Sequence, residues 1–250
     1  MSHHFITVKD LCYRYPEGTH ALEDVSFTVT HGESVAVVGA NGAGKSTLLL
    51  HLNGLLLPTQ GSINVGGTYV NKKTLREIRK KVGFVFQNPD DQLFMPTVYD
   101  DVAFGPLQMG LSAAVVDTQV KNALKQVGAL HLADRPPFKL SAGEKRLAAM
   151  AAILVMQPDI LVMDEPTSSL DPLARRNLIR LLKSFKHTKI IATHDLDMVL
   201  EVCRRTLVLC KGKLTADAPP LEVFNNNKLL KSSHLEKPLT MQGCPVCAGK

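Results

Sequence analysis

Four consecutive apolar residues, Val35 to Val38, run directly into Gly39-Ala40-Asn41-Gly42-Ala43-Gly44-Lys45-Ser46, and Thr47 leads on to Leu48, Leu49 and Leu52 at helical spacing. The eight central residues match G-x-x-x-x-G-K-[ST], a pattern that a chain this long meets by chance on the order of once in a hundred. Strand, glycine turn and helix start in immediate succession leave the backbone few alternatives. The glycines let successive N–H groups close on phosphate oxygens at a helix N-terminus, with Lys45 suited to the β/γ oxygens and Ser46 to a Mg²⁺ ion. A glycine turn that merely starts a helix needs neither of those two side chains.

Three further apolar runs, Val82 to Phe86, Ile160 to Met163 and Ile190 to Ala192, have the length and flanks of buried parallel strands. They end near Gln87, Asp164 and His194. Ligands of open α/β sheets bind at the carboxyl ends of strands, so four strand ends, that of Gly39 included, point to one site. Asp164 is then placed to hold Mg²⁺ through water and Glu165 to polarise an attacking water. Taken singly, the Asp-Glu pair, Gln87 and His194 read equally as hydrogen-bonded polar residues at strand ends. Convergence is what gives Gln87 a role toward Mg²⁺ and water, and His194 one toward the γ-phosphate.

Around this centre, residues 5–38 read as short alternating strands with turns at Pro16 to Gly18 and His31 to Gly32, and Ile63 to Val70 as another strand. Thr74 to Lys81 is a basic helical segment. Between Gln87 and Ile160 the pattern turns helical, with Val116, Val120, Ala123, Leu124 and Val127 on one face and a break at Arg135 to Pro137. Leu140-Ser141-Ala142-Gly143-Glu144 opens a helix there. Ser141-x-x-Glu144 is a capping box, and a capped start with a Ser hydroxyl and a Gly N–H is also an anion site. Thr206 to Leu214 predicts a hairpin around Lys211 and Gly212, and the residues after Pro238 predict a loose tail.

Composition narrows the class. With 250 residues, 45% hydrophobic and 21% charged, the chain has apolar material for one large or two small domains and is neither disordered nor fibrous. A formal charge of +6 suits an anionic partner, whether nucleic acid, a membrane surface or the nucleotide itself. No apolar run approaches the ~20 residues that span a bilayer, so the chain is expected in the cytosol or held peripherally at a membrane. Cys12, Cys203 and Cys210 stand singly in apolar surroundings and read as reduced core residues.

Taken in order, the motifs resemble those of the ATP-binding-cassette family over about residues 5–230: Gly39 to Ser46 its Walker A loop, Gln87 its Q-loop, Leu140 to Glu144 its signature, Ile160 to Glu165 its Walker B, Ser169-Leu170-Asp171 its D-loop and His194 its switch histidine. The resemblance implies an α/β fold: a P-loop NTPase core, an N-terminal antiparallel β subdomain and a helical insertion at about 88–158, in one ATPase domain over 5–237 with a flexible tail at 238–250. It implies ATP and Mg²⁺ as cofactors, with Ser46, Gln87 and Asp164 toward the metal and Tyr15 stacked on adenine. It also implies a second cassette, in a homodimer, with Ser141 and Gly143 serving the partner's nucleotide and Asp171 among the nucleotide-binding residues. Two departures stand out. Ala142 replaces a usual Gly, and Leu147 a usual basic residue, with Arg146 one place earlier.

Gln87-Asn88-Pro89-Asp90-Asp91-Gln92-Leu93-Phe94 is similar to the energy-coupling-factor ATPases, and Lys145 to Ala149 and Ile191 to Asp197 look like their cobalt and nickel members. That likeness implies a transmembrane coupling protein and a substrate-binding membrane protein as partners, at the cytoplasmic face of the cell membrane, with no nucleic acid. Leu93, Phe94 and Met95 read either as a docking surface or as packing of the helical insertion. A vitamin importer is the alternative. A soluble cassette acting on nucleic acid or ribosomes would usually carry a long coiled-coil insertion or two fused cassettes. Cys244-Pro245-Val246-Cys247 is half of a zinc pattern with His234 nearby, and His3-His4 could ligate Ni(II) or Cu(II), but a loose tail and a frayed terminus explain both.

Overall fold

The computed structural model of the chain describes residues 4–243. His3, the side chain of His4, Cys244 and Cys247 lie outside the described residues. A four-stranded antiparallel sheet joins β1 (His4–Arg14), β2 (His20–Thr30), β4 (Gln60–Val65) and β5 (Thr68–Tyr69) in the order β2-β1-β4-β5. Its first two strands are longer than the short ones expected. Asp10 and Asp24 take φ of 49° and 52° at breaks in the β1/β2 register, bulging the pair instead of ending it. Ile63 to Val70 is likewise two strands, because Gly66 and Gly67 at φ 54° and 85° fold it back on itself.

The larger sheet contains β3 (Ser34–Val38), β6 (Val82–Val85), β7 (Ile160–Asp164), β8 (Thr188–Ala192), β9 (Arg205–Cys210) and β10 (Lys213–Ala218), in the order β10-β9-β3-β8-β7-β6. All pairs are parallel except β9 with β10, the expected hairpin at Lys211 and Gly212. Both faces of β3 are covered. Val35 and Val37 face the core shared with the antiparallel sheet, while Ala36 and Val38 face the core built with the helices, which is why the strand reads as an uninterrupted apolar run.

Helices α1 (Lys45–Leu52) and α2 (Leu75–Lys81) precede β6. Between β6 and β7 lie α3 (Val98–Gln108), α4 (Ala113–Gln126) and α5 (Ala142–Leu154), packed on one another, with α4 burying the stripe its spacing predicts. Then come α6 (Pro172–Ser184), α7 (Leu196–Val202), α8 (Pro220–Asn225) and α9 (Asn227–Ser232). The first residues after Pro238 are docked, not loose. The Leu239 and Thr240 amides donate to the Asp197 carboxylate of α7 at 3.2 and 3.0 Å, and the Thr240 hydroxyl donates to it at 2.6 Å. Among the described residues, no helix is long and apolar enough to cross a membrane.

Candidate nucleotide site

The glycine loop leaves β3 by a route only glycine permits. A Cβ at Gly39 would lie 2.2 Å from the Leu209 carbonyl oxygen of β9, and one at Gly44, at φ 101°, 2.6 Å from that of Ala21. The loop is pinned from the far end of the chain as well, since the Gly212 amide donates to the Ala43 carbonyl at 3.0 Å. Lys45 is only 7% exposed. Its ammonium donates to the carbonyls of Gly39 at 2.9 Å and Ala40 at 3.2 Å and lies 3.0 Å from His194 Nε2. An ammonium has no acceptor, so Nε2 must accept and the imidazole proton sits on Nδ1. Burial lowers the Lys45 pKa, and the Glu165 and Asp164 charges counter that.

Parallel pairing of β7 with β8 brings Asp164, Glu165 and His194 to the same edge of the sheet as the loop. Glu165 follows the last residue of β7 at φ 46°, a left-handed conformation costing a β-carbon residue ~1–2 kcal/mol, held by its amide donating to the Ala192 carbonyl at 2.9 Å. The His194 amide donates to Glu165 Oε2 at 3.1 Å. Glu165 Oε1 lies 3.4 Å from His194 Nε2 yet has no hydrogen-bond partner, as it must if that nitrogen is already accepting from Lys45. Asp164 Oδ1 is also buried without a partner. Burial raises both carboxyl pKa values. The Ser46 hydroxyl chiefly opposes this at Asp164, and the His194 amide does so at Glu165. Two orphaned carboxylate oxygens beside an ammonium and a hydroxyl are a donor set short of a hard cation and a water.

A cleft of about 710 Å³ lies over this edge, lined by Asn41 to Thr47, Tyr15, Gln87, Glu165 and His194. The expected strand-end residues are thus neighbours. Tyr15 is held by its hydroxyl 3.0 Å from Thr47 Oγ1. Two residues missed in the sequence stand behind it: Tyr13 packs edge-on to Tyr15 at 4.9 Å and to His51 at 4.6 Å, and His51 Nδ1 donates to the Thr47 carbonyl at 2.7 Å. Tyr13 is the second-last residue of β1 and Tyr15 lies just past its end, and this i, i+2 aromatic spacing is the signal the sequence offers.

Ser141, Gly143 and Asp171 do not line the cleft of their own chain. Ser141 forms the full capping box, its amide and hydroxyl both donating to Glu144 Oε2 at 2.8 Å and its Oγ accepting from the Glu144 amide. Gly143 stands close to α6, where a Cβ would lie 3.1 Å from that of Ala174. Asp171 caps α6, accepting from the amides of Leu173 and Ala174 at 2.9 Å each. Asp195, next to His194, caps α7 and is clasped by both arms of Arg175 at 2.6 Å, an ion pair between helices that sequence reading did not anticipate. His234 lines a separate cleft of about 390 Å³ beside Asp197.

Residues 22–168 match the family model described as ABC transporter. A Geobacter sulfurreducens protein named for an ABC transporter ATP-binding role is 62% identical over 99% of both chains. The energy-coupling factor transporter ATP-binding protein EcfA of Methanocaldococcus jannaschii is 45% identical over 94% of this chain and 86% of its own. Among solved structures, CbiO1 of Clostridium perfringens, part of the ABC transporter complex CbiONQ, superposes with a TM-score of 0.81 at 39% identity, covering 91% of this chain and 93% of its own. An ATP-binding cassette captured as a dimer in a post-hydrolysis state with ADP and Pi gives 0.78 at 27% identity, covering 86% and 98%.

Proposed function

Since the chain belongs to the ABC transporter family, as an ATP-hydrolysing subunit of the energy-coupling-factor type, we propose a division of labour within its cleft and a place for it in a cobalt or nickel importer. The observation that carries the division is the pair of buried carboxylate oxygens, Asp164 Oδ1 and Glu165 Oε1, left without partners beside Lys45. Asp164, Ser46 and Gln87 would hold Mg²⁺, which when bound neutralises phosphate charge. The amides of Gly39 to Thr47 wrap the phosphates, and Tyr15 stacks on the adenine. Entering β/γ oxygens replace the His194 nitrogen on Lys45, freeing the imidazole to turn to the γ-phosphate. Glu165 Oε1 then accepts a proton from the attacking water as the γ-phosphorus is displaced from ADP. Its raised pKa improves it as a base.

The absence of Ser141, Gly143 and Asp171 from their own chain's cleft supports a homodimer in which they complete the partner's site. Phe94, 66% exposed and edge-on to Phe104 at 5.2 Å, supports a docking surface for a transmembrane coupling protein, which would hold the chain at the cytoplasmic face of the membrane with a substrate-binding membrane protein. Leu93 instead packs into the core. The likeness around Gln87 and His194 and the superposition on CbiO1 favour cobalt or nickel as cargo, selected by the membrane partner. Uptake of radiolabelled Co²⁺ and Ni²⁺ by vesicles holding the full complex tests this against Lys45→Ala. Metal uptake should stop in that variant. ATP-driven uptake of a vitamin instead would overturn the cargo and leave the ATPase intact.

A further inference from the structure

The first turns of α5 are joined to the segment after β6 by contacts that neither the capping box nor the nucleotide cleft requires. Arg146 is 3% exposed, and its guanidinium donates to the carbonyls of Phe86 and Gln87 at 2.6 Å each while Nε goes unpaired. A buried guanidinium satisfied by two neutral carbonyls is costly unless it has a task. Burial lowers the Arg146 pKa, and the Asp164 charge partly counters that. Lys145 adds an ion pair to Asp90 at 2.7 Å, and Gln92 Nε2 donates to the Ala149 carbonyl at 2.7 Å. We infer that Arg146 is a positioning residue that locks the Gln87 segment and the Ser141 end of α5 into one rigid body, so that the placement of Gln87 at the metal and water side of its own cleft sets the position in which Ser141 meets the partner's nucleotide. This rests on the two-site dimer reading above.

The displaced basic residue thus acquires a reason. A side chain at 146, on the inward face of α5, reaches the Gln87 carbonyl, whereas Leu147 packs against the helical core. Lysine at 146 offers a single ammonium where the guanidinium spans two carbonyls in a fixed fork, so it is a partial substitute.

The test uses the full chain. In Arg146→Met, ATP affinity of the isolated chain and its melting temperature should stay near those of the unsubstituted protein, while kcat falls at least tenfold and the Hill coefficient for ATP drops to 1. Arg146→Lys should recover part of kcat, and Lys145→Ala, which removes only a partly exposed ion pair, should stay within about twofold. Loss of affinity and melting temperature in step with kcat overturns the inference, since a purely structural contact behaves that way. Unchanged kcat and Hill coefficient in a folded Arg146→Met also overturn it. Each of these is read with the unsubstituted chain forming an ATP-driven dimer in sedimentation. If that dimer never forms, the two-site reading falls first and takes the inference with it.

Discussion

Glu165 concentrates the cost of the site in one residue: left-handed backbone, a buried carboxyl and one oxygen without a partner. Glu165→Gln should lower turnover by ~10²–10⁴ with ATP binding intact, the loss expected for a general base, and near-normal hydrolysis would refute the role. The same variant has a stability signature. A carboxyl whose pKa is raised by folding contributes most below its unfolded value, about 4, and that contribution is lost as pH rises through the folded value. At pH 7 Glu165→Gln should therefore melt higher than the unsubstituted protein, with the gap closing below about pH 4 in a pH series of melts. The glycine loop was legible from sequence because Gly39, Gly44, Lys45 and Ser46 each answer a local demand. Arg146 and Arg175 were not, since their partners lie 60 and 20 positions away and only the tertiary fold selects them.

Among the elements, the segment that carries Phe94 shows how a surface feature is held from inside. Asp101 of α3 is buried and accepts from the Phe94 amide at 2.9 Å and the Met95 amide at 3.0 Å. Asp101→Ala would leave those donors without their acceptor and should cost ~1–3 kcal/mol in urea unfolding. Asp101→Asn, which keeps an acceptor oxygen, should cost less, and equal stability of all three proteins would contradict the account. The strand ends and the α4 stripe followed from period alone, but the Gly66-Gly67 reversal was hidden in an apolar run and the β1 and β2 lengths in bulges at Asp10 and Asp24. Periodicity reports which way residues face and is silent about where a strand bends.

At the scale of the molecule, an exposed Phe94 beside Phe104, with Leu107 and Met109 exposed on the same helix and at its end, predicts a partner-binding face separable from catalysis. Phe94→Glu should leave ATPase of the isolated chain within about twofold and abolish copurification with the membrane proteins; retained copurification would remove this face from the docking surface.

The pairing of β3 has a further consequence in time. Its two neighbours, β8 and β9, begin at Thr188 and Arg205, and Leu209 and Gly212 press on the loop that follows it. During synthesis the glycine loop leaves the ribosome early, but the walls that shape it arrive only when four-fifths of the chain has been made. A nascent chain that stops before Arg205 lacks the β9 side of β3, and one that stops before Thr188 lacks both neighbours. Binding competence is therefore expected late in synthesis, in the order in which these walls arrive.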